Sequence, residues 1–251
     1  MKIAIVTGAT KGMGREFLRE LDKHLNDAEE IWAIGRTAST ADLPKTMCRI
    51  RRIDADLTDE TGITYLKKLL EDIDPKVKCL VNSAGFGKVG AFSDLDINVQ
   101  KDMVRLNDNA LMEVTYEVLP YMLNGGYIIN LASSAAFLPQ QNFAVYAATK
   151  AFVLSFSRAL MHELKDRHIS VTAVCPGPVE TDFFKVAESN GKSFRLKKYV
   201  MAKPDKVVKK AVLDALSRKE RSIYSLPMQM FDLLCKVLPH KLILDIYERL
   251  I

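Results

Sequence analysis

The sequence predicts an α/β fold, a doubly wound parallel sheet with helices on both faces. Three observations predict it. Short β-branched runs alternate with amphipathic helical segments along most of the chain, the order that builds a parallel sheet covered on both sides. The runs, such as Ile3 to Val6 and Val77 to Val81, are continuously apolar rather than alternating, as strands buried on both faces require. Several of them end in small residues, which let a ligand lie against the backbone at the carboxyl edge of an open sheet.

The first strand, Lys2 to Thr7, feeds a glycine turn, Thr7, Gly8, Ala9, Thr10, Lys11, Gly12, Met13 and Gly14. A helix follows, with Phe17, Leu18, Leu21 and Leu25 on one stripe. Strand, glycine turn and helix N-terminus together make an anion site suited to a pyrophosphate. The glycine spacing is neither GxGxxG nor a Walker loop. A second strand, Ile31 to Gly35, delivers Arg36 to the place where a dinucleotide fold meets the adenosine ribose. Arg36, with Lys11 nearby and no acidic residue there, favours NADP(H) over NAD(H).

Arg49 to Ala55 reads as a third strand leading to Asp56 and Leu57, after which Thr58 is placed to cap a helix running to about Asp72. Val77 to Val81 is the fourth, ending in Asn82, Ser83, Ala84 and Gly85. A helix from about Asn107 to Leu123 precedes a fifth strand, Tyr127 to Leu131, which ends in Ala132, Ser133 and Ser134. A helix from about Tyr146 to Asp166 and a sixth strand, Ile169 to Val174, come next. The turn from Cys175 to Thr181 closes that strand through Pro176 and Pro178. Val207 to Leu216 reads as a helix and Arg221 to Ser225 as a last short strand.

Tyr146 and Lys150 are four apart at the start of a helical segment, so phenol and ammonium share a face about 5–6 Å apart at Cβ. Holding a phenol near neutrality takes a shift of roughly 3 units, or about 4 kcal/mol. A cation about 4 Å away supplies that much at an effective dielectric near 20. The same spacing also fits a lysine stem lying along an amphipathic ring.

Taken together, the motifs resemble those of the short-chain dehydrogenase/reductase family, over most of the chain. The glycine turn matches its TGxxxGxG, Asn82 to Gly85 matches its NNAG with Ser83 in place of the second Asn, and Tyr146 to Lys150 matches its YxxxK. Asn107, Ser133, Tyr146 and Lys150 correspond to its catalytic tetrad, Ser133 being preferred to Ser134 on spacing. The resemblance implies a Rossmann-type sheet of seven strands in the order 3-2-1-4-5-6-7. It implies cofactor contacts at Thr7, Gly8, Thr10, Lys11, Gly12, Met13, Gly14 and Arg36. Further contacts are implied at Asp56, Leu57, Asn82, Ala84, Gly85, Tyr146, Lys150, Pro176, Gly177, Val179 and Thr181. It also implies hydride transfer between nicotinamide and a carbonyl or alcohol carbon, with Tyr146 as general acid/base, Ser133 as hydrogen-bond donor to the reacting oxygen, and Lys150 lowering the phenol's pKa. Asn107 would position a water that relays protons to Lys150. The alternative is an NADP-binding sensor or scaffold with little turnover.

The 251 residues are expected to form one domain, since nothing in them reads as a linker. A net charge of +5, with no basic face interleaved with aromatics, gives no sign of nucleic-acid binding. Four scattered cysteines show no metal or redox spacing. With no signal peptide or membrane-span pattern, a cytoplasmic protein is expected, acting on a small-molecule carbonyl or alcohol as a homodimer or homotetramer. A lid over about 183–203 carries Lys185, Lys192, Arg195, Lys197 and Lys198 against Glu188. These cations either meet an anionic part of the substrate or are solvated. The tail over about 228–251 reads as two short amphipathic helices around Pro239. They pack on the domain, line an apolar substrate pocket or bury a subunit interface; the sharper alternative is peripheral membrane contact, aided by Lys236, His240, Lys241 and Arg249.

Overall fold

The computed structural model describes residues 1–187 and 201–250 of the chain. Seven parallel strands form one sheet, β1 (Lys2–Thr7), β2 (Glu30–Gly35), β3 (Arg49–Asp54), β4 (Lys76–Asn82), β5 (Met122–Leu131), β6 (Ser170–Val174) and β7 (Arg221–Ser222). Their order is 3-2-1-4-5-6-7, as the sequence predicts. Successive residues of β1 point to opposite faces, so two cores form, one on each side. Ile3 and Ile5 join Trp32, Leu66, Leu70 and Val114 on one face. Ala4 and Val6 join Phe17, Leu18, Leu21 and Val212 on the other. Each fully buried aliphatic side chain contributes about 1.5–3 kcal/mol.

The helices are α1 (Gly12–His24), α2 (Glu60–Ile73), α3 (Ile97–Val104), α4 (Ala110–Val118), α5 (Ala144–Glu163), α6 (Phe183–Ala187), α7 (Pro204–Leu216), α8 (Leu226–Val237) and α9 (His240–Leu250). Three local expectations are corrected. Asp59, not Thr58, caps α2: its carboxylate accepts the Thr61 N–H at 2.9 Å, while Thr58 turns back to Asp56. The helix expected over Asn107 to Leu123 begins at Ile97, passes through a π-turn at Arg105–Asn109 and stops at Val118. Pro120 then sits in a short 3-10 turn and β5 begins at Met122. The last strand is two residues, shorter than the expected run to Ser225, because the chain turns at Ser225 into α8.

Strand order reverses between β1 and β4, whose carboxyl ends carry the glycine turn and the Asn82 to Gly85 segment. That crevice is where open α/β sheets take ligands. Of the lid cations, Lys192, Arg195, Lys197 and Lys198 lie outside the described residues, whereas Lys185 is paired with Asp182 at 2.6 Å. None of the described helices is long and apolar enough to cross a membrane.

Candidate active site

The glycine turn is held by close backbone approach. Gly8 has φ +64°, and a Cβ there would lie 2.7 Å from the Ala84 Cα; one on Gly14 would lie 2.1 Å from the Gly8 oxygen. Only glycine fits, so the turn wraps tightly against the end of β4 and opens into α1. Lys11 at the N-cap makes no side-chain capping bond, and the first turn of α1 has no acidic residue. Its leading N–H groups are thus left for an anion. A dinucleotide pyrophosphate fits that chemistry. Further along the edge, Thr10 touches Gly35 and Arg36 stands exposed beside Asp56. Burial pushes the Asp56 carboxyl up, but hydrogen bonds from Thr58 and the charge of Arg36 overcome it and hold the group below its ordinary value.

Several residues assigned to the cofactor build the crevice from inside. The Thr7 hydroxyl accepts the N–H groups of Ser83 and Ala84 at 3.1 and 3.2 Å, tying β1 to the end of β4. Asn82 is buried and donates to Thr115 and Asn130, and Leu57 lies in the core. The Asn82 Oδ1 has no hydrogen-bond partner among the described residues. Met13, Gly85, Pro176, Gly177, Val179 and Thr181 do line the cavity, and the methyl of Thr181 reaches to 3.4 Å from a Cβ placed on Gly12.

The cavity also brings Ser133, Tyr146 and Lys150 together. Helix α5 starts at Ala144, two residues before Tyr146, and buries Tyr146, Ala147, Thr149 and Lys150. Ser133 caps the 3-10 turn after β5, accepting the Ala135 N–H at 3.1 Å. Lys150 donates to the Leu131 oxygen at 2.8 Å, and its Nζ lies 5.7 Å from the centre of the Tyr146 ring. Asn107, in the π-turn, is fully buried. It donates to the Phe86 oxygen at 2.9 Å and Thr149 Oγ1 at 3.0 Å, and accepts the Phe86 N–H at 3.0 Å. Its side chain is therefore a clamp between the loop after β4 and α5, with its polar atoms engaged. Both Asn107 Oδ1 and Lys150 Nζ crowd Gly85, at 2.8 and 3.5 Å from where a Cβ would stand.

The electrostatics correct one expectation. Burial pushes the Tyr146 phenol up to about 12, opposed only by its hydrogen bond with Ser133. In the protein alone burial outweighs the charge of Lys150, whose Nζ lies 5.7 Å from the ring centre. Burial also brings Lys150 down to about 8, with Asp108 and Cys175 pulling it up. Asp108, next to Asn107, is pushed up to about 7 by burial against the pull of Lys150.

An aromatic wall surrounds the phenol. Phe143 stacks on Tyr146 with centroids 4.2 Å apart, and Phe183 tilts against its other side at 5.4 Å. Gly87 lets the loop pass, since a Cβ there would lie within 2.9 Å of all three rings. Phe184 and Gln140 complete that side of the cavity. No spacing signal in the sequence marks Asp108, Thr149 or Phe184.

A family profile described as short chain dehydrogenase matches residues 2–191. The chain belongs to the short-chain dehydrogenase family. Among similar proteins, sulfoacetaldehyde reductase 2 of Chromohalobacter salexigens is 31% identical over 192 residues, 72% of this chain and 74% of that protein. A 3-ketoacyl-(acyl-carrier-protein) reductase of Brucella melitensis, solved with NADH, is 25% identical, with a TM-score of 0.72 over 89% of this chain and 96% of that one. A Sphingobium yanoikuyae short-chain dehydrogenase solved with NADPH superposes with a TM-score of 0.74 at 24% identity, over 90% of this chain and 89% of that one. The protein is thus an oxidoreductase of this short-chain dehydrogenase family with its glycine cradle and YxxxK pair in one crevice.

Proposed function

We propose that the protein is a cytoplasmic NADP(H)-dependent oxidoreductase that interconverts a carbonyl and an alcohol, with carbonyl reduction the favoured direction. The observation that carries this is the convergence of Ser133, Tyr146 and Lys150 on one cavity, beside a helix N-terminus left open for an anion. When bound, the nicotinamide supplies or accepts the hydride. Tyr146 gives its phenolic proton to the oxygen of the reduced carbonyl, or takes it back in oxidation. Ser133 donates a hydrogen bond to that same oxygen. Lys150, held by the Leu131 carbonyl, supplies positive charge beneath the phenol. Asn107 fixes the floor, since its three hydrogen bonds set the loop at Phe86 and the turn of α5 carrying Thr149 and Lys150.

NADP(H) is favoured because Arg36 is exposed at the end of β2 and makes no hydrogen bond or ion pair among the described residues, leaving its guanidinium for a 2′-phosphate. Similar proteins have been solved with NADPH and with NADH, so the choice rests on this residue. The substrate side is walled by Phe143, Phe183, Phe184 and Pro178, which suits an apolar ketone such as a steroid-like or acyl-chain compound. Val104, Met112, Tyr116 and Phe152 are exposed on α3, α4 and α5, an apolar face suited to a homodimer or homotetramer.

The test is a panel of acidic, long-chain and bulky carbonyls followed by NADPH absorbance, with Tyr146→Phe as the control. Turnover that survives Tyr146→Phe would refute the role of the phenol. Arg36→Asp is expected to move the NADPH/NADH ratio of kcat/KM by about 10–100-fold toward NADH, the loss of a charge-assisted contact worth about 1.5–3 kcal/mol. An unchanged ratio would refute the account of β2.

A further inference from the structure

Helix α8 is apolar on two opposite faces. Its inner face is satisfied. Met228 lies against Gly177, where a Cβ would fall 2.6 Å from its sulfur, and Phe231 meets Phe137 with centroids 6.2 Å apart. Asp232 on the same side accepts from Arg221 at 2.6 Å and Lys236 at 2.8 Å, and Cys235 is buried in the cluster beneath. The outer face carries Leu226, Met230, Leu233, Leu234 and Val237, each between 48% and 71% exposed. At helical spacing these five fall within an arc of roughly 100°, one continuous stripe. Past the Pro239 break, Leu242 at the start of α9 is 46% exposed as well. Large apolar side chains scattered singly over a surface need no explanation, but an aligned set does.

We propose that α8 and the first turn of α9 dock on an anionic lipid bilayer and lie in its interface. An interfacial helix needs one apolar face about 5–10 Å deep, bordered by cations, and both are present. Lys236 shares Asp232 with Arg221, a cluster with one net positive charge, and Lys241 is exposed beyond it, against Asp245 further along α9. The acid nearest the stripe, Asp232, is neutralised from within by Arg221 and Lys236. A second copy of the chain is the weaker occupant. One helix of twelve residues offers a narrow strip, whereas a stable dimer buries about 1,200–2,000 Å². The broader exposed face with Met112, Tyr116 and Phe152 serves that purpose better.

Docking has a consequence for the site. Through Met228 on Gly177, α8 rests on the turn that lines the cavity. A bilayer against the outer stripe therefore lies one helix diameter from the cavity wall. Resting on the carbonyl-reductase reading above, this position gives an apolar ketone a route from membrane to site.

The test is co-sedimentation of the full chain with vesicles of phosphatidylcholine, alone or mixed with phosphatidylglycerol, read as bound protein and so independent of turnover. The wild type is expected to sediment with the mixed vesicles. The double variant Leu233→Glu/Val237→Glu should lose that binding by about tenfold or more, since both charges replace the inserted face. Lys241→Glu should weaken binding to the mixed vesicles only. Thermal melting and NADPH affinity, expected to match wild type in each variant, show that the fold persists. A wild type that stays in the supernatant with both vesicles overturns the proposal, as does a double variant that sediments equally well. A double variant that halves the molecular mass in light scattering also overturns it, because the stripe then belongs to a second copy. Loss of carbonyl reductase activity with vesicle binding intact would refute the catalytic reading and leave the docking standing.

Discussion

Binding of NADP⁺ is expected to lower the apparent pKa of Tyr146 by about 2 units, and the magnitude follows from the geometry. In the protein alone, burial holds the phenol at about 12. Acting as a base near neutrality requires a fall of roughly 5 units, equivalent to about 7 kcal/mol. Lys150, whose Nζ is 5.7 Å from the ring centre, is already present in that state; one further full positive charge at about 6 Å would contribute about 3 kcal/mol at an effective dielectric of 20, or roughly 2 units. Burial brings Lys150 itself down to about 8. A second cation is needed, and the nicotinamide ring of the oxidised cofactor would supply one when bound. The assay is a phenolate difference-absorbance titration of wild type minus Tyr146→Phe, with and without NADP⁺. NADPH, whose ring is neutral, should produce a much smaller shift. Equal titration curves with and without NADP⁺ would refute the coupling. So would an equal shift from NADPH, because the ring charge would then not be the cause.

Three other outcomes are expected. Asp108 has a buried Oδ1 with no hydrogen-bond partner among the described residues and is raised to about 7, so between roughly pH 4 and 7 the unfolded chain gives up a proton that the folded one keeps, and stability falls as pH rises across that window. Asp108→Asn should therefore raise stability at pH 8 but not at pH 4. The roughly 3-unit shift would be worth about 4 kcal/mol for a fully buried group, and partial exposure cuts it to about 1–2 kcal/mol, measurable by urea unfolding at both pH values. Asn107→Ala strands the N–H and carbonyl of Phe86, and should cost about 2–4 kcal/mol of unfolding free energy with weaker NADPH binding. A loss of turnover with unchanged stability and cofactor affinity would instead give Asn107 a direct role in proton transfer. Gly14→Ala would put a methyl 2.1 Å from the Gly8 oxygen; opening the turn should cost about 1–3 kcal/mol, and calorimetry should show NADPH affinity falling with it.

What the sequence makes legible here is whatever depends on local pattern. Mainly apolar runs locate five strands, β3 carrying only Ile50 and Ile53 among charged residues, and the family resemblance carried by the glycine turn and YxxxK implies the strand order. Boundaries fail where neighbouring residues compete. Thr58 and Asp59 are both competent caps, and Asp56 decides between them by engaging Thr58. Strand β5 begins at Met122, five residues before Tyr127, although Gly125 and Gly126 argue against a strand there. The π-turn at Arg105–Asn109 has no local signature. It exists where Asn107 must reach Phe86 and Thr149 at once, a demand that appears only when the loop after β4 and α5 are both in place.

The sign of the Tyr146 shift shows the same division at the level of chemistry. Spacing alone places an ammonium and a phenol on one helical face, and Coulomb's law then argues for a lowered pKa. The spacing carries no information on how deeply α5 is buried or where the ammonium finds its hydrogen bond. Here both side chains are enclosed, and Lys150 is anchored on the carbonyl of Leu131 at the end of β5. That anchor fixes Nζ between the sheet and the cavity. If bound NADP⁺ lowers the phenol as predicted above, proton transfer is coupled to cofactor occupancy by burial, with no moving part required. Replacing Leu131 leaves the carbonyl in place, so the anchor is open to test only from the other side. Lys150→Met, which keeps the stem and removes the charge, should leave the phenol near 12 in the free protein and reduce the NADP⁺-induced fall.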